Sequence, residues 1–243
     1  MIDIHSHILP GLDDGAGNLS DALEMAQLAA SSGIKGIIAT PHCNIPGGFH
    51  NYWSLSLEDD LRNLQNEIND RNIPLTLYPG QEVFLAPGFM DMLHQGKLIT
   101  LCNSRYMLVE FDMYESATVA YRKLQQILAE GLVPIVAHPE RYRFVHEQKE
   151  AIYRMKDLGA LLQINRGSLK GAFGIRTKSI ANEIISSYQA DFIASDAHSQ
   201  YRRTPYLADV HEVICERISA DYGDVLVKIN PKKIITDERI YSF

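Results

Sequence analysis

The chain has 243 residues, 46% hydrophobic and 22% charged, enough to bury a core and suited to one domain over 1–243. Its formal charge of −7 comes from 30 acidic and 23 basic residues, and no basic run exceeds Arg202-Arg203 or Lys232-Lys233, which disfavours nucleic acid as a partner. Cys43, Cys102 and Cys215 show no paired spacing and read as reduced thiols. No charged and apolar leader precedes the first strand, and no apolar stretch approaches the ~18–20 residues that span a bilayer. A soluble, cytoplasmic protein without membrane insertion is expected.

Residues 2–5 read as the first strand, and His5 and His7, two apart, face the same side. Ser20 is the expected cap of a helix carrying Leu23, Met25, Ala26, Leu28 and Ala29 and stopping at Gly33. The second strand, 36–40, is closed by Pro41-His42. The connection 44–57, with Gly47, Gly48, His50, Tyr52 and Trp53, reads either as a lid or as a surface loop. Leu57, Leu61, Leu64 and Ile68 keep one helical face. Strands follow at 75–82, ending in Gln81-Glu82, and at 106–110, ending in Glu110. Tyr121, Leu124, Ile127 and Leu128 form the next helix, before Gly131. Strand 133–138 ends in His138 and leads to Pro139-Glu140-Arg141. A helix with Ile152, Met155 and Leu158 precedes Gly159 and strand 161–165. Ile180, Ile184 and Ile185 mark another helix. Strand 192–196 ends in Asp196, with His198 two residues on. Leu207, Val210, Val213, Ile214 and Ile218 give the last helical stripe.

Strand and helix alternate, so the strands should be parallel. Seven such units predict an α/β barrel of the TIM kind with one unit fewer than eight. Active sites of such barrels lie at the C-terminal strand ends. Here those ends carry His5, His7, His42, Glu82, Glu110, His138, Asp196 and His198, with Asp14 close behind the first. Nine ligands are too many for one ion and suit two or three if a carboxylate bridges. No cysteine belongs to the set, which disfavours a closed structural zinc site. Mixed imidazole and carboxylate suits Mn²⁺, Fe or Zn²⁺, and the oxygen share favours Mn²⁺. His50, His94, His146 and His211 lie away from strand ends and read as surface or satisfied core.

Clustered metals point to phosphoester or amide hydrolysis. Arg141 and Arg203, close behind two of the ligands, argue for phosphate, because a guanidinium forks onto its oxygens and stays charged. A cysteine-based phosphatase loop needs arginine six residues after cysteine. Those positions hold Phe49, Leu108 and Asp221.

The segments HSHILPGLDDGA (5–16), TPH (40–42), GQE (80–82), LVEF (108–111), AHPERY (137–142) and SDAHS (195–199) occur in the order found in the PHP (polymerase and histidinol phosphatase) superfamily. The chain resembles its manganese-dependent bacterial tyrosine-protein phosphatases of capsule and exopolysaccharide loci, over nearly its whole length. The resemblance implies a distorted (βα)7 barrel with three Mn²⁺ ions. It implies that His5, His7, Glu82 and Asp196 hold one ion, and that Glu82 bridges to a second completed by Glu110 and His138. Asp14, His42 and His198 would hold the third. Asp13 neighbours Asp14 and Arg202 neighbours Arg203; the motif register selects Asp14 and Arg203. Glu82, Arg141 and Arg203 would be the catalytic residues, and the partner a cytoplasmic tyrosine kinase controlling polysaccharide synthesis. A histidinol-phosphate or other small-molecule phosphatase is the alternative within the superfamily. A nuclease or phosphodiesterase is disfavoured by the acidic balance, and a metal-bearing scaffold by the complete ligand set with its two arginines.

Overall fold

The computed structural model describes residues 1–241 and 243. In chain order the elements are β1 (Ile2–Ser6), α1 (Leu19–Ser31), β2 (Gly36–Ala39), β3 (His42–Cys43), α2 (Leu55–Asp70), β4 (Thr76–Pro79), β5 (Glu82–Phe84), α3 (Phe89–His94) and β6 (Tyr106–Glu110). There follow α4 (Ala117–Ala129), β7 (Val133–Ala137), α5 (Arg143–Glu147), α6 (Glu150–Leu158), β8 (Leu161–Asn165), α7 (Arg166–Lys170), α8 (Ile175–Ser186) and β9 (Phe192–Ala194). The chain ends in α9 (Ala208–Arg217), α10 (Ala220–Asp224) and α11 (Asn230–Ile235), the last two joined by a π-helical turn at Val225–Ile229.

All strand pairs are parallel. They form two sheets, β1-β2-β4 and β3-β5-β6-β7-β8-β9. The chain itself runs from one sheet into the other, β2 into β3 and β4 into β5; at these crossings Thr40 N–H donates to Ser6 O at 2.9 Å, extending β2 on β1, and Glu82 N–H to Pro41 O at 3.1 Å, extending β5 on β3. The end of β9 lies beside the end of β1, where Asp196 N–H donates to His5 O and His7 N–H to Ala197 O, both at 2.9 Å.

The strands are buried on both faces, which explains their near-continuous apolar runs. Ile4, Ile38, Leu108, Ile135, Leu161 and Phe192 pack with one another on the inner side, joined by Ile234 of α11. Their neighbours Ile37, Val109, Val136, Leu162 and Ile193 face outward, onto helical residues such as Met25, Leu124, Met155 and Ile184.

Four boundaries differ from expectation. Strand 36–40 stops at Ala39 and a short β3 follows it at His42–Cys43, while 75–82 is split between β4, which ends at Pro79, and β5, which begins at Glu82. Pro41 has no N–H to give a ladder. Gly80 sits so close to β2 that a Cβ would stand 2.7 Å from Ile38 Cγ2. The two interruptions match, so the chain resumes with His42 opposite Glu82. Strands 133–138 and 192–196 stop at Ala137 and Ala194. His138 (φ 37°) and Asp196 (φ 51°) instead turn out in the left-handed region. That conformation costs a non-glycine residue about 1–2 kcal/mol. Backbone bonds from His138 N–H to Gln163 O and from Asp196 N–H to His5 O hold them there, each 2.9 Å.

The cap of α1 is Asn18, not Ser20: its Oδ1 accepts from Asp21 N–H at 3.1 Å, so the helix begins earlier. The segment 44–54 is a wall of the site. Phe49 stacks on His42 at 6.1 Å between centroids, and Asn51 Nδ2 donates to Leu12 O and His42 O, each at 2.9 Å.

Candidate metal centre

Each predicted ligand reaches the same end of the strands. β1 carries His5 and, just beyond it, His7; β3, β5 and β6 carry His42, Glu82 and Glu110. His138, Asp196 and His198 come from the turns after β7 and β9. Asp14 comes from the loop after β1, which doubles back at Gly15, where a Cβ would lie 2.1 Å from His7 O. Three sets have donor atoms within 4.8 Å of one another: His5, His7 and Asp196; His7, Asp14, His42 and His198; and His42, Glu82 and Glu110. Glu82 joins them. Its Oε2 lies 3.1 Å from His5 Nε2, 3.3 Å from His7 Nε2 and 3.0 Å from His42 Nδ1, while Oε1 lies 2.9 Å from His138 Nε2. The structure therefore brings all nine residues together. A further set, His211, Cys215 and Asp224, lies on α9 and α10, and the Lys228 ammonium already stands 2.7 Å from Asp224.

The hydrogen-bond network around the cluster fixes which ring nitrogens carry protons. The Asp196 carboxylate can only accept, so Asn165 must present Nδ2 to it, at 2.6 Å. Asn165 Oδ1 then faces Gln163 Nε2 at 2.8 Å, which turns Gln163 Oε1 to His5 Nδ1, also at 2.8 Å. His5 thus carries its proton on Nδ1 and presents a lone pair at Nε2. Asp13 does the same for His7, accepting from Nδ1 at 2.7 Å. The two Nε2 atoms lie 3.2 Å apart. With Glu82 Oε2 and Asp196 Oδ1 they make four electron-pair donors aimed at one buried point. Such a set repels itself unless a cation or added protons lie between its members, so the residues fit a divalent ion. Glu82 Oε2 is buried with no hydrogen-bond donor of proper geometry among the described residues.

The electrostatics agree. Burial opposes charging of His42, yet Glu82 and Glu110 outweigh it and push its imidazole up to about 10. Burial, then repulsion by Glu82, raises the Glu110 carboxyl to about 7. Burial, with Arg141 beside it, lowers His138 to about 4. One cluster thus spreads its titrations widely, as sites of chemistry do.

Two register questions have geometric answers. Asp13 is engaged with His7 Nδ1, His42 N–H and Gly15 N–H, whereas Asp14 Oδ1 stands 3.3 Å from His198 Nε2 and 3.5 Å from His42 Nε2. Arg202 is exposed, while Arg203 turns inward (φ 50°), pairs with Asp196 Oδ1 and donates from Nε to Asp196 O at 3.1 Å. Arg141 lies 3.6 Å from the other Asp196 oxygen. Its guanidinium stacks 4.4 Å over the Phe173 ring, and that of Arg203 lies 6.0 Å from the same ring. The cavity above the cluster, about 400 Å³, is lined by these arginines, by Asp14, His42, Glu82, Glu110 and His138, and by apolar Ile45, Phe84, Phe111 and Met113. Cys43 is buried, and burial pushes its thiol up to about 12, as it does for Cys102; neither supplies a thiolate.

Gln163, Asn165 and Phe173 were not singled out by sequence, and Asp13 only as the alternative to Asp14. Gln163 and Asn165 did carry a signal. They stand two apart at the end of an apolar strand, so they share a face, the one turned to His5 and Asp196.

Among curated proteins, the chain is 32% identical over 241 residues to the tyrosine-protein phosphatase YwqE of Bacillus subtilis, covering 99% of this chain and 94% of that protein. It is 30% identical to the tyrosine-protein phosphatase CpsB of Streptococcus pneumoniae, covering 99% and 100%. A solved structure from work on YwqE and CpsB, described as unique metal-dependent tyrosine phosphatases, superposes with a TM-score of 0.93 at 32% identity, over 100% of this chain and 97% of that one. A histidinol phosphate phosphatase of Lactococcus lactis shares the fold, with a TM-score of 0.54 at 14% identity over 94% and 93%. The family model for capsular polysaccharide synthesis proteins CpsB/CapC matches residues 1–236, and this chain belongs to that family.

Proposed function

We propose that this chain is a metal-dependent protein-tyrosine phosphatase. It would remove phosphate from a cytoplasmic tyrosine kinase that regulates capsular or extracellular polysaccharide synthesis. The observation that carries the reading is the convergence of His5 Nε2, His7 Nε2, Glu82 Oε2 and Asp196 Oδ1 beneath a cavity lined by two arginines. The barrel is read as a distorted (βα)7 closed between β9 and β1 by the bonds at Asp196 and His7. No helix among the described residues is long and apolar enough to cross a membrane, in keeping with a cytoplasmic substrate.

Three ions are proposed, Mn²⁺ by the oxygen share of the donors. His5, His7, Glu82 and Asp196 would hold the first; Glu82, Glu110 and His138 the second; Asp14, His42 and His198 the third. Bound there, the ions would make water a nucleophile at neutral pH and offset charge on the phosphoryl oxygens.

The chain's own residues supply the rest. Gln163 and Asn165 hold His5 and Asp196 in orientation, and Asp13 holds His7. Arg141 and Arg203, braced on Phe173, present forks of donors to a phosphoryl group entering the cavity. Phe84, Phe111 and Met113 give an aromatic leaving group an apolar surface. A phenol has a pKa near ~10, so its departure needs less proton donation than an alkyl alcohol's.

Initial rates of the Mn²⁺-loaded protein on a phosphotyrosine peptide, histidinol phosphate and a phosphodiester test the reading. The peptide is expected to give the highest kcat/KM, by about a hundredfold or more. A preference for histidinol phosphate would assign the alternative, and a preference for the diester would overturn both.

A further inference from the structure

We propose that the substrate cleft continues past Arg141 into a second pocket that binds an anionic side chain adjoining the phosphotyrosine. This rests on the phosphatase reading above and adds to it a substrate class: acidic phosphotyrosine segments. A cavity of about 390 Å³ opens beside the catalytic one and shares Met113, Tyr114 and Arg141 with it. Its remaining charged wall is Arg143, Arg176 and Glu147. The backbone binds the two pockets together, since Arg143 N–H donates to Met113 O at 3.0 Å.

The charges in this pocket are unusual for the chain. The whole protein carries −7, yet the pocket sets three arginines against one carboxylate. Glu147 is committed to Arg143, at 2.7 Å. That pair is about half exposed or more on both sides, so an entering anion can exchange into it at small cost. Arg176 has no carboxylate partner among the described residues. One of its nitrogens donates to His146 O at 2.5 Å, which orients the guanidinium and leaves its charge unopposed. Arg141, common to both pockets, stacks on Phe173 of the second, so a substrate held at Arg141 has the second pocket as its next neighbour. A positive pocket in an acidic protein concentrates anions, and guanidinium forks match carboxylate and phosphate alike. Tyr114, 78% exposed on the lip between the pockets, offers a surface for the intervening peptide.

The test uses the metal-loaded full chain and phosphotyrosine peptides of one length. One peptide has neutral flanks, one has aspartates, one has a phosphoserine beside the phosphotyrosine, and one has lysines. The acidic peptides are expected to show a kcat/KM about tenfold above the neutral one, mainly through KM and diminishing with salt. A larger gain for phosphoserine than for aspartate would name phosphate as the preferred anion, and the reverse would name carboxylate. Arg143→Ala with Arg176→Ala should collapse the acidic-to-neutral ratio towards one while bound metal stays unchanged. Arg143→Glu with Arg176→Glu should invert it in favour of the lysine peptide. Equal rates on acidic and neutral peptides by the unaltered protein, or a ratio that survives both pairs of substitutions, would overturn the second pocket and leave the phosphatase reading standing. No turnover of any phosphotyrosine peptide would overturn that reading and the pocket with it.

Discussion

Glu82→Ala is expected to lower turnover by about a thousandfold or more and to lower bound metal at the same time. Its side chain is almost wholly buried, and its two oxygens stand within 3.3 Å of nitrogens from His5, His7, His42 and His138. Removing it deletes a donor shared by two proposed ions. It also leaves four imidazoles crowded without their common anion, and breaking a buried charged cluster on one side costs about 3–5 kcal/mol. A thousandfold loss corresponds to about 4 kcal/mol of transition-state stabilisation. Glu82→Gln keeps the shape but offers a neutral carbonyl and is expected to fall nearly as far. His94→Ala is the control. That ring is exposed on α3, paired among the described residues only with Glu130, at 3.1 Å, and should change neither quantity. Elemental analysis and initial rates on the same preparations decide it. Equal effects from Glu82→Ala and His94→Ala would remove Glu82 from the centre.

Arg203→Ala and Arg141→Ala are expected to lower turnover by about a hundredfold each while bound metal is retained. Both guanidiniums reach Asp196, a proposed ligand, so retention of metal is a real test. It is expected because Asn165 Nδ2 holds Asp196 Oδ2 at 2.6 Å independently of either arginine. Inhibition by free phosphate should weaken in both variants. Arg→Lys should recover part of the loss, since an ammonium keeps the charge and loses the fork. Arg202→Ala should be mild, because that side chain is exposed. A crippling Arg202→Ala beside a silent Arg203→Ala would place the phosphate clamp one residue earlier.

The strands were legible in the sequence because they are buried on both faces and largely apolar, and their ends were legible because all but 161–165, which ends in Asn165, stop at or beside His, Asp or Glu. Two of them conceal breaks. Pro41 follows one apolar run and Gly80 lies inside another, and only the approach of Gly80 to Ile38 shows that the ladder steps there. The C-terminal helices α10 and α11 went unread. They are short, and what holds them is tertiary: Ile234 joins the inner core, and Asn230 Nδ2 donates to Asp191 O at 3.0 Å. In the centre, ionisable side chains announce themselves by type. The amides of Gln163 and Asn165 do not, since a half-exposed strand end carries such residues as readily as a network does. Asp13 and Asp14 were adjacent candidates, and only the loop's turn at Gly15 shows which meets His7 and which meets His42 and His198.

The most direct measurement of the central claim is phosphate release from a phosphotyrosine peptide by exhaustively chelated protein, before and after reloading with Mn²⁺, Fe²⁺ or Zn²⁺, with metal counted in every sample. The account predicts no turnover after chelation and full recovery as about three ions per chain are restored, Mn²⁺ giving the highest rate. Full turnover in protein from which elemental analysis finds no metal would contradict it.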